Sequence, residues 1–344
     1  MKQVIAWLAD SNGTGGQAAV TSEVISVILE TLARVYTIQY AKSGRNKFFC
    51  YMSSIVILVA KISNRSLIYF TPSRSVLGAL RDVPVYFCSL FVKVIAHVHG
   101  DDLDTLLSRG MLGRLLLKFY KRIELVVVPT IVVKAKLEKL GLTNVFVVEN
   151  YSLNIPVDPE AITSSVTERY VWNSNIISTK GFFEFAEAYR LLPVPYRLPV
   201  DIFGEVIGSK MLSRLDTEKE FFKISKELGF FYRGVLPRAE LVLEISSRDL
   251  VVLPSYGECQ PLAVIDAMVQ GAALVLSDWD SMQDVSKGYA NVTFTQISPH
   301  CIVKALMHAV DRQHSNTGLS NDMKAARKRF CLLRFRREIA GLFE

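Results

Sequence analysis

The sequence predicts an α/β architecture built from two doubly wound, Rossmann-like halves, and three observations carry that reading. Short apolar, β-branched runs alternate with longer segments of helical periodicity, the pattern of parallel strands covered by helices on both faces. The series occurs twice. Val4–Ala9, Tyr36–Tyr40, Leu67–Phe70, Lys93–His99, Leu125–Pro129 and Val145–Val148 form the first set. Tyr170–Trp172, Val200–Phe203, Phe230–Arg233, Asp249–Pro254 and Ala273–Ser277 form the second. With 344 residues, 50% of them hydrophobic, the chain is also too long for one core. The break falls at Tyr151–Glu168, where S-L-N-I-P-V-D-P and S-S-V-T read as a linker. The expected domains are therefore 1–155 and 156–323, followed by a tail, 324–344. Ligands of such sheets sit at the carboxyl ends of the strands, so the cleft between the halves is the expected site.

Composition narrows the class. The five cysteines are odd in number and none pair as C-x-x-C, which excludes a zinc ribbon and points to a reducing, cytoplasmic setting without disulfides. The sequons at Asn12 and Asn291 then read as chance matches. Met1 leads almost directly into V-I-A-W-L-A, too short for a secretory core. The run Ile55–Ala60, bounded by Lys47 and Lys61, is too short to span a bilayer and reads as a buried helix. Charge is uneven. Residues 1–155 carry 18 Lys+Arg against 10 Asp+Glu, residues 156–323 carry 15 against 21, and 324–344 carry 7 against 2. A basic front and a basic tail suggest that one lobe faces something anionic.

The loop after the first strand reads D-S-N-G-T-G-G-Q-A-A, and Gly13, Gly15 and Ala18 fit the fingerprint G-x-G-x-x-A. Glycines there let backbone approach a diphosphate at a helix N-terminus, so Gly15 and Gly16 are candidate donor-binding residues. A nicotinamide dehydrogenase is one alternative, but Tyr36–Tyr40 ends without the acidic residue that would hold a ribose. A loop without any ligand is another.

Residues 249–278 read strand, loop, helix, strand. Pro261 suits a first helical turn, Gly271 a helix exit, and backbone amides near Cys259–Leu262 a diphosphate cradle. Glu258 and Asp266 are spaced so that both acids can face one cleft and accept hydrogen bonds from sugar and ribose hydroxyls. The segment P-S-Y-G-E-C-Q-P-L-A-V-I-D-A-M resembles the E-x7-E element of the family 4 glycosyltransferases, retaining enzymes of the GT-B fold. That resemblance implies that Glu258 contacts the transferred sugar, Asp266 the nucleotide ribose, and Gln260, Pro261 and Leu262 the donor. Asp266 is one methylene shorter than the family's usual Glu.

Further elements fit the same family. In Y-V-W-N-S-N-I-I-S-T-K-G-F-F, Lys180-Gly181 matches the end of R-x4-K-G, whose cations hold the donor diphosphate, while Asn175 stands where Arg is more usual. Gly204 and Gly234 fall in segments similar to the family's other two donor loops. His99 before Gly100 matches the H-G element near the reaction centre, and His97 shares its strand face. Asp102-x-Asp104 and Asp278-x-Asp280 are short D-x-D matches, but the doubly wound pattern argues against the other major glycosyltransferase fold, and a metal set of His97, His99 and Asp101 is a minor alternative. The resemblance implies no bound metal and no cofactor, and a last helix, about 324–344, that crosses back to the first domain.

Between Asp104 and Glu124, Arg114, Lys118, Lys121 and Arg122 share one helical face opposite Leu112, Leu115, Leu116, Phe119 and Ile123. This helix either lies on an anionic membrane or packs its apolar face on the sheet. The tail R-K-R-F-C-L-L-R-F-R-R favours the membrane. No nucleic-acid motif is present. The expected activity is transfer from a UDP- or GDP-sugar to a glycan or polyprenyl-diphosphate-linked acceptor in bacterial polysaccharide or lipopolysaccharide assembly, at the inner face of the membrane. A nucleotide-sugar epimerase on the same fold and a non-catalytic sugar-nucleotide-binding protein are the alternatives.

Overall fold

The computed structural model describes residues 3–8, 15–31, 34–40, 47–63, 65–73, 75–153, 166–209, 212–312 and 316–344. The chain divides into two compact units, Met1–Asn150 with Leu333–Glu344, and Tyr151–Leu332. Gly13 and most of the linker segment lie outside the described residues.

The first unit is a parallel six-stranded sheet. Its elements are β1 (Gln3–Leu8), α1 (Gly16–Thr31), β2 (Val35–Gln39), α2 (Lys47–Lys61), β3 (Ser66–Phe70), α3 (Val76–Arg81), α4 (Val83–Cys88), β4 (Lys93–His97), α5 (Leu103–Ser108), α6 (Gly110–Tyr120), β5 (Leu125–Val128), α7 (Ile131–Lys139) and β6 (Val145–Val147). The strand order is β2-β1-β3-β4-β5-β6, with Val4 opposite both Val35 and Leu67. β1 lies inside the sheet between β2 and β3, and Val4 to Leu8 are all buried, as in a parallel strand covered on both faces. Polar residues mark the turns into helices. Thr130 accepts from the Val133 amide and Ser75 from the Gly78 amide, each satisfying a first-turn donor. β4 closes at His97, two residues earlier than the apolar run suggested, which places His99 in the following loop.

One expectation fails in this unit. The segment Ile55–Ala60 is helical, but it is not buried. Ser54 and Leu58 face inward, beside the Trp7–Tyr40–Tyr51 ring cluster, while Val56, Ile57 and Val59 face water. A helix on an open sheet has only one covered side, and apolar content alone does not reveal which residues occupy it. In the basic tail, Lys324, Lys328 and Arg337 are exposed, and four arginines are engaged within the chain. Arg327 donates to the Val269 carbonyl and Arg329 to those of Asp284, Val285 and Lys287, whereas Arg334 pairs with Glu149 and Glu338, and Arg336 with Glu23 and Glu30.

The second unit holds β7 (Arg169–Asn173), α8 (Phe182–Leu191), β8 (Val200–Phe203), α9 (Arg214–Leu228), β9 (Phe231–Gly234), α10 (Arg238–Glu244), β10 (Asp249–Leu253), α11 (Leu262–Gln270), β11 (Ala273–Ser277), α12 (Asp280–Val285), β12 (Val292–Thr295), α13 (Pro299–Asp311) and α14 (Asn316–Arg329). The final helix, α15, spans Leu332–Gly341. The sheet is parallel, in the order β12-β11-β10-β7-β8-β9. Chain direction across the sheet therefore reverses between β7 and β10, as in dinucleotide-binding sheets. Its core includes the fully buried rings of Trp172, Phe182, Phe185 and Phe221. At the amino ends of the strands, Arg169 bridges Asp249 and Asp201, whose carboxylates are almost fully buried. β12 was not foreseen. It is a short edge strand with only one residue buried, so it lacks the continuous apolar run that marked the others.

Candidate active site

Strand order reverses between β7 and β10, and sheets of this kind bind their ligands at that point, outside the carboxyl ends of the strands. These strands pair from Arg169↔Asp249 to Val171↔Val251, so residues 174–181 and 254–261 emerge side by side. The first loop ends in one turn of 3-10 helix, Ser178–Lys180, and Gly181 then takes a left-handed conformation (φ +79°) to start α8. A Cβ at Gly181 would lie 2.1 Å from the Pro254 carbonyl oxygen. Two constraints thus coincide on one residue, backbone angle and close approach.

The loops are laced together there. The Thr179 carbonyl accepts from the Tyr256 amide at 3.0 Å and from Ser255 Oγ at 3.2 Å. The Ser255 carbonyl in turn accepts from Ser277 Oγ at 2.7 Å and Trp279 Nε1 at 2.9 Å. This lacing sets Lys180 against Glu258, whose Oε1 accepts from Lys180 Nζ. The two side chains are 26% and 10% exposed. They therefore present a cation and an adjacent hydrogen-bond acceptor from a mostly desolvated position. Gly181→Ala is expected to cost about 1–3 kcal/mol from backbone strain alone and to move Lys180 off Glu258. Gly234→Ala, at φ +78° but with nothing within 4 Å of the added Cβ, is the milder change. Thermal unfolding of the two variants checks the order, which would be wrong if Gly234→Ala were the less stable.

The neighbouring loops form a second knot. The Gly204 amide donates to the Gly234 carbonyl at 2.9 Å, and a Cβ on Gly204 would meet the Ser174 carbonyl oxygen at 2.2 Å. Asn175 Oδ1 accepts from the Glu205 amide at 3.2 Å. Asn175, expected as a direct phosphate contact, thus uses its carbonyl to fasten this knot and retains its NH2 as a donor group. α11 begins beside Glu258. Pro261 is its cap residue rather than its first helical residue, and no side chain caps the helix. Its first-turn amides form an electropositive end suited to an anion. Asn173 Nδ2 moors that turn through the Ala263 carbonyl at 3.0 Å. Gln260 is buried, and Pro261 and Leu262 are half-buried.

Asp266 does not stand open as a lone acceptor. It is 3% exposed, and Arg238 grips it from Nε at 2.8 Å and Nη2 at 2.7 Å, with Ser152 Oγ at 2.9 Å. Arg238 also donates to the Tyr151 carbonyl and lies over the Tyr151 ring, 4.9 Å from its centroid. Burial opposes the charge on Arg238, but Asp266 outweighs it and holds the guanidinium pKa above its ordinary value. Its Nη1 is buried and has no partner among the described residues. Sequence reasoning missed Arg238. The shortened acid at 266 was the signal, since it leaves room for a guanidinium from the nearby R-G-V-L-P-R segment.

The remaining expected residues lie in the first unit. His99 lines a shallow pocket with Gln17, Ser73, Gly100 and Asp102, and its Nε2 is 3.4 Å from Thr21 Oγ1. Gly15 accepts from the Ala19 amide at 3.1 Å, and Gly16 opens α1. His97 is fully buried, 2.9 Å from the Tyr69 hydroxyl through Nδ1, with its ring centroid 4.3 Å from that of His99. Burial first, and the His99 charge second, push its pKa well below 6.5. An unfolded histidine takes up a proton below about pH 6.5, so lowering the pH through that value favours the unfolded state at this site. The His97 ring resonance should therefore stay constant from neutral pH down into the acid range. A midpoint near the free-histidine value would contradict its burial. Among the described residues, no group of three or more His, Cys, Asp or Glu side chains is placed to hold a metal ion.

Residues 163–329, which contain the whole Lys180–Glu258 arrangement, match the family described as glycosyl transferases group 1. This chain is therefore similar, over that stretch, to the group 1 glycosyltransferases. Solved structures extend the likeness over its full length. Anabaena Alr3699/HepE in complex with UDP matches at TM-score 0.72 and 15% identity, covering 100% of this chain and 99% of that one. Sucrose-phosphate synthase (tll1590) from Thermosynechococcus elongatus matches at 0.75 and 13%, covering 99% and 98%. The apo form of the lipopolysaccharide outer core galactosyltransferase WaaB matches at 0.67 and 14%, covering 100% and 99%. The glycosyltransferase fold is thus GT-B. No curated protein matches the sequence.

Proposed function

We propose that this glycosyltransferase moves a sugar from a nucleoside-diphosphate-sugar to a glycan or polyprenyl-diphosphate-linked saccharide, with retention of anomeric configuration and without a metal. The Lys180–Glu258 pair beside the uncapped start of α11 carries the proposal. Lys180 and the α11 amides meet the diphosphate. Glu258, released from Lys180 when the phosphate arrives, accepts from a hydroxyl of the sugar. The bond from C1 to the diphosphate oxygen breaks and the electron pair leaves with the nucleotide. The acceptor oxygen bonds to C1, and its proton passes to the departing diphosphate. Donors fixed in advance around a developing negative charge supply the main electrostatic stabilisation, so the residues already present can do this work.

Several further assignments belong to the same proposal. Arg238 orders Asp266 for the ribose, and its buried Nη1 is a free donor toward the nucleotide. Gly204, Gly234, Asn175, Gln260, Pro261 and Leu262 frame the donor, while Gly15, Gly16 and His99 serve from the first unit. UDP-sugars are the first donor class to test ahead of GDP-sugars, because the HepE structures contain UDP and UDP-glucose. Assembly of a bacterial surface polysaccharide on an anionic inner membrane face is the proposed setting. The test is release of nucleoside diphosphate from UDP- and GDP-sugars, with and without saccharide acceptors and EDTA. Acceptor-dependent release from one class, unaffected by EDTA and yielding an axial or equatorial linkage like that of the donor, is expected. Sugar isomerisation without acceptor would sink it in favour of an epimerase, and NAD binding without nucleotide binding in favour of a dehydrogenase.

A further inference from the structure

The water-facing half of α2 is apolar but for Ser53. No charged residue occurs between Phe48 and Ala60. Phe48, Phe49, Val56 and Val59 are each more than 60% exposed, while Ser54 and Leu58 are turned inward. That arrangement reverses the usual surface helix, whose polar side faces water. The patch continues beyond α2. The Tyr51 hydroxyl donates to the Arg81 carbonyl at 3.1 Å, joining α2 to α3. On and just after α4, Phe87 and Phe91 are 61% and 69% exposed and touch each other. Contiguous exposed apolar surface of this kind marks a place where something docks.

Charge identifies the occupant. Residues 34–100 hold nine Lys+Arg and a single acid, Asp82, and Asp82 is fully buried. Lys61, Arg65 and Arg81 are exposed around the apolar patch. Tyr86 of α4 stacks on Phe119 of α6 at 5.3 Å, which sets the exposed Arg114, Lys118, Lys121 and Arg122 on the flank. α6 itself buries Leu116 and turns its basic face to water, so it supplies charge rather than the main apolar contact. A water-soluble partner needs no such absence of acids, whereas a negatively charged bilayer selects for it. At 15 residues α2 is too short to span, and no described helix is long and apolar enough to do so.

We infer that the outer faces of α2 and of the α3–α4 segment form one docking surface that lies in the plane of an anionic lipid bilayer, with apolar side chains inserted between headgroups and the surrounding cations on the lipid charges. This site differs from the α6 helix and the tail that the sequence suggested. Its test is co-sedimentation of the full chain with phosphatidylglycerol-containing and pure phosphatidylcholine vesicles, which needs no sugar donor and so fails or succeeds independently of the transferase proposal. Wild type should bind the anionic vesicles and bind the neutral ones more weakly. Phe49→Ser/Val56→Ser and Phe87→Ser/Phe91→Ser should each lower partitioning about tenfold, with thermal unfolding and nucleotide affinity unchanged. Lys61→Gln/Arg65→Gln should reduce the preference for anionic lipid and leave the neutral binding in place. Absence of binding, binding indifferent to these changes, or a wild-type dimer that the serine variants dissociate would overturn the inference.

Discussion

Glu258→Gln is expected to lower kcat for sugar transfer by about 10²–10³ while leaving UDP affinity within a few-fold of wild type, on the scale of removing one pre-positioned transition-state group. The asymmetry follows from the geometry. Glu258 is the acceptor partner of Lys180, so its carboxylate competes with the diphosphate for the same ammonium. In the proposed mechanism, neutralising it frees that cation for phosphate but removes the charged acceptor for the sugar hydroxyl. Lys180→Ala should show the opposite division. Loss of a charge-assisted hydrogen bond is worth about 1.5–3 kcal/mol, or roughly tenfold to a hundredfold in nucleotide affinity. Titration calorimetry with UDP and steady-state kinetics on both variants separate the two roles. If Glu258→Gln abolished UDP binding, the carboxylate would be organising the phosphate subsite and the assignment would be wrong.

Arg238→Ala produces the larger stability loss. Asp266 is buried and both of its oxygens depend on Arg238, so removing the guanidinium strands a carboxylate. Breaking a buried ion pair from one side costs about 3–5 kcal/mol. The double variant Arg238→Leu/Asp266→Ala removes the stranded charge as well and should recover much of that loss, while nucleotide affinity stays low because the proposed ribose contact is gone. Hydrogen exchange in α11 is the appropriate readout, since a two-unit chain gives no single unfolding free energy. Equal stability of the single and double variants would show that the pair is not coupled.

These two sites also show what the residues disclosed in advance. Glu258 and Lys180 were readable because each stands in a loop whose shape is dictated by neighbouring Pro, Gly and apolar strand residues. The strand pattern then requires the two loops to meet at the β7–β10 reversal. Asp266 was found but its surroundings were not. Arg238 lies 28 positions upstream, and a pairing across an intervening strand leaves no periodic trace. The same physics explains the misreading of α2. Hydropathy counts apolar residues without recording which side the sheet covers, so Val56 and Leu58 look alike in sequence and face opposite ways in the fold. The partners of the tail were hidden for a related reason. Arg327 and Arg329 bind carbonyls, and Arg334 and Arg336 the carboxylates of Glu149, Glu23 and Glu30, partners far away in the chain.

The most direct test of the account is calorimetric titration of UDP, GDP, ADP and NAD into wild type and Lys180→Ala, with and without EDTA. The account predicts that one nucleoside diphosphate binds wild type, with UDP the first candidate, that EDTA changes nothing, and that Lys180→Ala weakens binding by at least about tenfold. Binding that is indifferent to Lys180, or binding of NAD alone, would contradict it.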